Sequence, residues 1–215
     1  MPGRIHIDHF TTLDGVAQAP GGPDEDTESG FRFGGWQAPL LDHTVGTQVD
    51  AGIQAMDALL LGRRTYDIFA GYWPHQLDGP DGGIAHTFNA IPKYVASRGT
   101  PQLPWRDSHL LGRDLAAELE ILRERHREIH VIGSIDFART LVTEGLFDQL
   151  NLWVYPIVVG PGKRLFPDDG PPTALTLLAA EATSEKGAVL LRYAPTGSIP
   201  ATGDMTREDA VTHDD

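Results

Sequence analysis

Apolar residues along the chain fall into short runs whose period changes several times. Residues 4–10 alternate between apolar and polar positions and are rich in Ile, His and Phe, which predicts a first strand. Val45, Val49, Ile53 and Met56 recur at spacings of three and four, so 43–57 is predicted as a helix with one apolar stripe. Residues 58–61 are an unbroken apolar run closed by Gly62, the pattern of a strand buried on both faces. A short helix is predicted over 65–70, and strand-like runs follow at 93–97 and 108–111. Residues 114–127 form an amphipathic helix with Leu115, Leu119 and Leu122 on one side. Residues 129–132 repeat the short buried strand, and 136–144 read as a helix stopped by Gly145. The stretch 149–159 predicts a long β-branched strand. Segments 175–182 and 189–194 predict an antiparallel pair turning at Lys186 and Gly187.

Strands that alternate with helices imply a parallel sheet, and three final strands without intervening helices imply an antiparallel edge. The fold class is therefore α/β, a mixed and mainly parallel sheet flanked by helices. Two stretches interrupt the pattern. Residues 11–35 are rich in Gly, Pro and acid, with Asp24, Glu25, Asp26 and Glu28 close together; so long a loop in a compact domain is functional or disordered. Residues 73–83 are rich in Pro and Gly. Beyond Ala194 the chain is polar and acidic with no apolar period. One domain over 1–195 and a disordered acidic tail over 196–215 are expected.

Composition narrows the function. The 215 residues contain no cysteine, which removes disulfides, Cys-ligated zinc and iron–sulfur clusters. The net charge of −13, with no basic tract, disfavours nucleic acid and anionic membranes as partners. No apolar run approaches the roughly 20 residues that span a bilayer, and the opening residues lack a signal-peptide pattern, so a cytoplasmic location is expected. The nine histidines show no metal-ligand spacing; most are expected at the surface, with no metal bound.

The richest chemistry lies at Gly62-Arg63-Arg64-Thr65-Tyr66, where a buried strand gives way to a helix. A helix N-terminus offers unpaired N–H groups and partial positive charge to a phosphate, glycine permits close backbone approach, and arginine adds a planar donor fork. The same residues could equally be a plain turn with Thr65 as N-cap. Ser97-Arg98 and Gly133-Ser134 end two further strands, and ligands in open α/β sheets sit beyond such carboxyl ends. No G-x-G-x-x-G fingerprint is present. Gly160-Pro161-Gly162-Lys163-Arg164 lacks the full P-loop spacing and reads as a turn.

These segments resemble a family. Thr12-Leu13-Asp14-Gly15 after the first strand is similar to the S-L-D-G signature of the reductase domain of bifunctional riboflavin-biosynthesis deaminase-reductases. Gly62-Arg63-Arg64-Thr65-Tyr66 resembles the G-R-x-T-[WY] segment that those reductases share with dihydrofolate reductases. Gly145-Leu146-Phe147-Asp148-Gln149 and the run from Pro156 through Gly160, Gly162, Leu165 and Phe166 match two more segments in family order. The resemblance is to stand-alone members of the dihydrofolate reductase superfamily, without the deaminase half. It departs at Val16, where the riboflavin reductases carry a basic residue.

The resemblance implies an enzyme using NADPH as hydride donor to reduce a pteridine- or aminopyrimidine-like heterocycle, similar to 5-amino-6-(5-phosphoribosylamino)uracil reductase. Dihydrofolate reduction and a non-catalytic NADPH-binding module are the alternatives. By motif position Arg63 would contact the ribose 2′-phosphate and Thr65 the pyrophosphate, with Gly62 and Arg64 in the same turn. Ser97 and Arg98 would flank the 2′-phosphate, and Gly133-Ser134 would take the place of a Gly-Gly pair that approaches the cofactor. Asp14 is the candidate catalytic group, a partly buried carboxyl with a raised pKa that supplies a proton or hydrogen bond. Asp14 and Gly15 also have the composition of an ordinary Asp-Gly turn. Trp36 could cap the heterocycle by stacking, or anchor the long loop to the core. A first-helix carboxylate, as in dihydrofolate reductases, could come from Asp42 or Asp50. A homodimer paired through the last strands is expected.

Overall fold

The computed structural model describes residues 2–182 and 184–204. Residues 205–215, most of the expected tail, lie outside them. Eight strands form one sheet: β1 (Arg4–Thr12), β2 (Ala58–Gly62), β3 (Lys93–Ala96), β4 (Ser108–Leu110), β5 (Glu128–Val131), β6 (Gln149–Tyr155), β7 (Leu175–Ala182) and β8 (Val189–Pro195). Their order across the sheet is β4-β3-β2-β5-β1-β6-β8-β7. The first six run parallel, and β8 and β7 add the antiparallel edge that the missing crossover helices imply. The helices are α1 (His43–Ala55), α2 (Arg63–Tyr72), α3 (Gly82–Ala90), α4 (Leu115–Arg125) and α5 (Ile135–Thr143).

Burial follows the strand patterns. Every residue of β2 is buried, as its continuous apolar run requires. Ile5, Ile7, Leu60, Ile129 and Leu150 pack against Leu119 and Leu122 of α4 and Phe137, Ala138 and Leu141 of α5 on one face. On the opposite face, Leu59, Leu61 and Val95 meet Ile53, Met56, Tyr66 and Phe88. Further along that face, Trp153, Tyr155 and Leu190 pack with Val45 and the long loop.

Four expectations need correction. The helix after β2 begins at Arg63, not near Thr65, because Gly62 is itself the extended N-cap residue. The Pro/Gly-rich stretch does not stay irregular: it closes into a single 3₁₀ turn at Trp73–His75 and then α3. The glycines that open α3 weaken its helical pattern, and burial of Ala85 and Phe88 supplies what propensity does not. The long strand ends at Tyr155, because Pro156 has no N–H to extend a ladder. Hydrogen bonding also runs past residue 195, since Thr196 donates to the Ala174 carbonyl and the Ala174 N–H to that of Ser198. Among the described residues no helix is long and apolar enough to cross a membrane.

Candidate active site

A cavity of about 790 Å³ opens beyond the carboxyl ends of β1, β2 and β5, within the range of small-molecule sites. Its lining includes Asp8, His9 and Phe10 from β1, Arg64 and Thr65 from α2, and Ile132, Gly133, Ser134 and Ile135 after β5. Val49, Asp50 and Ile53 of α1 and Trp153 of β6 complete the wall beside the sheet.

The N-termini of α2 and α5 converge here. Side chains of each segment fill the space beside the other's glycine: a Cβ on Gly62 would stand 1.9 Å from Ser134 Oγ, and one on Gly133 would stand 2.7 Å from Thr65 Oγ1. Gly133 has a φ of +73°, and its peptide bond to Ser134 is cis. Ser134 precedes α5 as N-cap residue but makes no side-chain cap bond, and its hydroxyl is directed toward Gly62 instead. Two helix ends, each with unpaired first-turn N–H groups, therefore face one cavity across a cradle that only glycine fits. That arrangement suits an anionic group such as a phosphate.

Of the residues singled out from the sequence, Arg64, Thr65, Gly133 and Ser134 line the cavity and Gly62 abuts it. Arg63, Ser97 and Arg98 stand just outside the lining, at the next strand ends. The register pairs Gly62 with Ala96, so Arg63 and Ser97 follow side by side. Arg63 Nε donates to Asp67 at 2.6 Å, and Ser97 Oγ accepts from the Gly99 N–H.

The structure does not bring Asp14 or Trp36 into this cavity. Asp14 accepts from Thr12 Oγ1 at 2.6 Å and from the N–H groups of Gly160 and Val159, which pins the 157–160 segment to the turn after β1. Partial burial pushes its carboxyl up, but these hydrogen bonds prevail and hold it below the usual aspartate value, opposite to the raised value expected. Trp36 is buried, donates from Nε1 to the Gln18 carbonyl and packs edge-on against Tyr155. It anchors the loop. Asp42 is also excluded as a cavity carboxylate, since it caps α1 at Val45 and bonds Ser184, whereas Asp50 lines the wall.

Other lining residues carried no local signal in the sequence. Asp8, midway along β1 and with its side chain only 11% exposed, accepts from Asn151 at 2.8 Å and meets His130 Nδ1 at 2.6 Å. Burial opposes its charge, yet His130 and Asn151 hold its pKa below the ordinary value. His9 is neutral: burial, with Arg139 adding, pushes it down to about 4. Lys163, in the turn that resembled a P-loop, reaches the mouth. There it and Arg64 are bound by Asp26 and Glu28 of the acidic loop, which straps that loop across the opening. The alternation of β1 places Asp8 on the face opposite Ile5 and Ile7, and these pairings between distant segments have no spacing to detect. His6, His9 and His130 are buried, exceptions to the expectation that most histidines lie at the surface.

The fold and this cavity define a mixed α/β protein in which two helix N-termini face a cavity at the sheet's carboxyl edge. The model of the RibD C-terminal domain matches residues 4–189, and the chain belongs to that family, the dihydrofolate-reductase-like reductase domain of riboflavin-biosynthesis proteins. It is 26% identical over 168 residues to the uncharacterized protein YyaP of Bacillus subtilis, covering 77% of this chain and 81% of that one. Among solved structures it is similar to a putative riboflavin biosynthesis protein from Shewanella sp. PV-4, with TM-score 0.67, 18% identity, and 89% and 98% of the two chains covered. It is also similar to a pyrimidine reductase-like protein from Corynebacterium diphtheriae, with TM-score 0.60, 16% identity, and 90% and 92% covered. The bifunctional deaminase/5-amino-6-(5-phosphoribosylamino)uracil reductase of Thermotoga maritima aligns with TM-score 0.57 and 14% identity; 90% of this chain covers 57% of that longer one.

Proposed function

We propose that this protein is an NADPH-dependent reductase of a pteridine- or aminopyrimidine-like heterocycle, similar to the riboflavin-pathway reductases. The observation that carries the reading is the cradle at Gly62, Thr65, Gly133 and Ser134, where two helix N-termini meet over a cavity. Those residues fit a pyrophosphate, with Arg63, Ser97 and Arg98 at the adjacent strand ends to hold a 2′-phosphate. Bound there, the dinucleotide would supply a hydride. The chain's own residues enclose the reacting pair. Phe10, Val49, Ile53 and Trp153 exclude water, while Asp8 offers an ionised carboxylate that orients a nitrogen heterocycle and Asp50 one that orients it or passes it a proton.

Asp50 also favours a second reading, dihydrofolate reduction, because it is a carboxylate from the first helix lining the cavity. NADPH fluorescence on binding, followed by its oxidation when heterocycles are added, tests both. Oxidation with dihydrofolate alone selects the second reading. Binding without turnover of any heterocycle overturns both in favour of a non-catalytic module, and no binding overturns the cofactor assignment. A cytoplasmic location and a homodimer through the C-terminal strands belong to the same reading; Leu177 and Leu178 of the edge strand β7 are exposed. Light scattering that gave a monomer mass at tens of micromolar would remove the dimer.

A further inference from the structure

Beneath the cavity floor, the central strands carry polar side chains on the face that α1 covers. His6 of β1 and His130 of β5 are register partners on parallel strands. Their rings stack at 4.8 Å between centroids, inclined by 15°. Glu128, two residues before His130 on the same strand, turns its carboxylate to the pair. One ligand atom from each of His6, Glu128 and His130 lies within 4.8 Å of the other two. Both histidines are buried, while the Glu128 side chain is 40% exposed and leaves a way in from solvent.

Two details distinguish this cluster from an ordinary ion pair. His6 Nε2 stands 2.8 Å from Glu128 Oε2, but outside hydrogen-bond geometry. Shielded from solvent, that nitrogen has no hydrogen-bond partner among the described residues. A buried polar nitrogen left in this way is costly unless something else engages it. In addition, His130 Nδ1 meets the Asp8 carboxylate at 2.6 Å, and Asn151 holds the other carboxylate oxygen. An ionised carboxylate only accepts, so Nδ1 carries the hydrogen, and in the neutral ring Nε2 is left with the lone pair that a metal ion would engage in place of a proton. A carboxylate behind a histidine is the outer arrangement that orients metal-bound imidazoles.

We propose that His6, His130 and Glu128 bind a divalent transition-metal ion, with zinc the best match, and that Asp8 acts as the outer partner of His130. Two imidazoles and a carboxylate are borderline ligands that suit Zn²⁺ better than Ca²⁺ or Mg²⁺. Tetrahedral bonds of about 2.0 Å place ligand atoms roughly 3.3 Å apart. Reaching that separation from 4.8 Å asks the ligand atoms to draw in by up to about 1.5 Å. The Glu128 side leaves the fourth position to water. Two carboxylates, Asp8 and Glu128, match the ion's charge once both imidazoles are neutral. The ion would tie β1 to β5 and, through His130, fix the Asp8 carboxylate that lines the cavity.

The test uses full-length, tag-free protein stripped with a chelator, then titrated with Zn²⁺ against a chromophoric competitor and with Co²⁺ by visible absorption. One equivalent should bind and raise the melting temperature. X-ray absorption at the zinc edge should show two imidazoles. Glu128→Gln changes a part-exposed side chain and should keep the fold while weakening Zn²⁺ at least tenfold, and Asp8→Asn should weaken it about tenfold to a hundredfold through the outer contact. Failure to take up one equivalent overturns the proposal. So does equal affinity in the wild type and Glu128→Gln, which would place the ion on other histidines, or a zinc shell without imidazole.

Discussion

Replacing Gly62 with alanine probes the cradle directly. The added methyl would lie 1.9 Å from Ser134 Oγ, 3.1 Å from Ser134 Cβ and 3.0 Å from Phe137 Cβ. The backbone conformation is no obstacle, since φ is −70° and ψ 151°, so the whole effect is steric. The Ser134 hydroxyl can rotate away, but the Cβ atoms of Ser134 and Phe137 belong to the start of α5, which must give by a few tenths of an ångström. Overpacking of this kind costs about 1–3 kcal/mol. In a domain of this size each 1 kcal/mol lowers the melting temperature by roughly 2–4 °C, which gives a fall of about 2–12 °C. Since the moved atoms are the proposed phosphate donors, NADPH affinity should fall with stability. Ser134→Gly removes two of the three nearest contacts, and Phe137 Cβ at 3.0 Å remains. Adding it to Gly62→Ala should restore most of both losses, a coupling that calorimetry and NADPH fluorescence can read as a double-mutant cycle. An unchanged melting temperature in Gly62→Ala, or losses that simply add in the double variant, would refute the close apposition of the two strand ends.

Three other outcomes are expected. Arg63→Ala should weaken NADPH by about tenfold to a hundredfold, the worth of one hydrogen bond to a charged group, and leave NADH nearly unchanged; equal weakening of both would assign Arg63 to the fold. Asp14→Asn should lower the melting temperature by several degrees, because two backbone N–H groups and Thr12 share its carboxylate, while NADPH binding stays intact; a normal melting temperature with turnover lost would restore a catalytic role. Lys163 and Arg64 pull the Glu28 carboxyl from 4.5 down to about 2, so the stability it contributes is present above pH 4.5 and is lost as pH falls through 2. The urea midpoint should decline across that window with a smaller slope in Glu28→Gln, and an equal slope would rule out the pairing.

Much of the fold was legible because period and burial agree in β2, α4, α5 and the final hairpin. The anion cradle was legible for a local reason: a glycine closing a buried strand before a helix is a contiguous signal, and two such signals at parallel strand ends must lie on one edge. Helix α3 was not legible, since Gly82 and Gly83 open it and only tertiary burial of Ala85 and Phe88 explains its stability. Asp14 and Trp36 each admit two readings in the sequence, and their hydrogen bonds favour the structural one. A carboxylate that accepts three hydrogen bonds, and an indole bonded inside its own loop, have little left to offer a ligand.

The polar face beneath α1 shows why clusters of this sort escape a sequence reading. His6, Asp8, His130 and Asn151 alternate with apolar neighbours, and in any one strand that pattern predicts a solvent-facing side. Parallel pairing sets β1 between β5 and β6, so the polar positions of three strands coincide on one face. Helix α1 then covers them with polar residues of its own. Gln48 reaches Trp153 and Glu181, and Gly52 passes over His130 without a side chain. A helix with small and polar residues beside its apolar stripe is what such a face requires, because a fully apolar cover would strand the imidazoles and carboxylates without partners. Sequence shows the two halves separately, as alternation in β1 and as a narrow stripe in α1. Only the register joins them, and it carries the partnered carboxylate Asp8 from that buried network to the cavity wall.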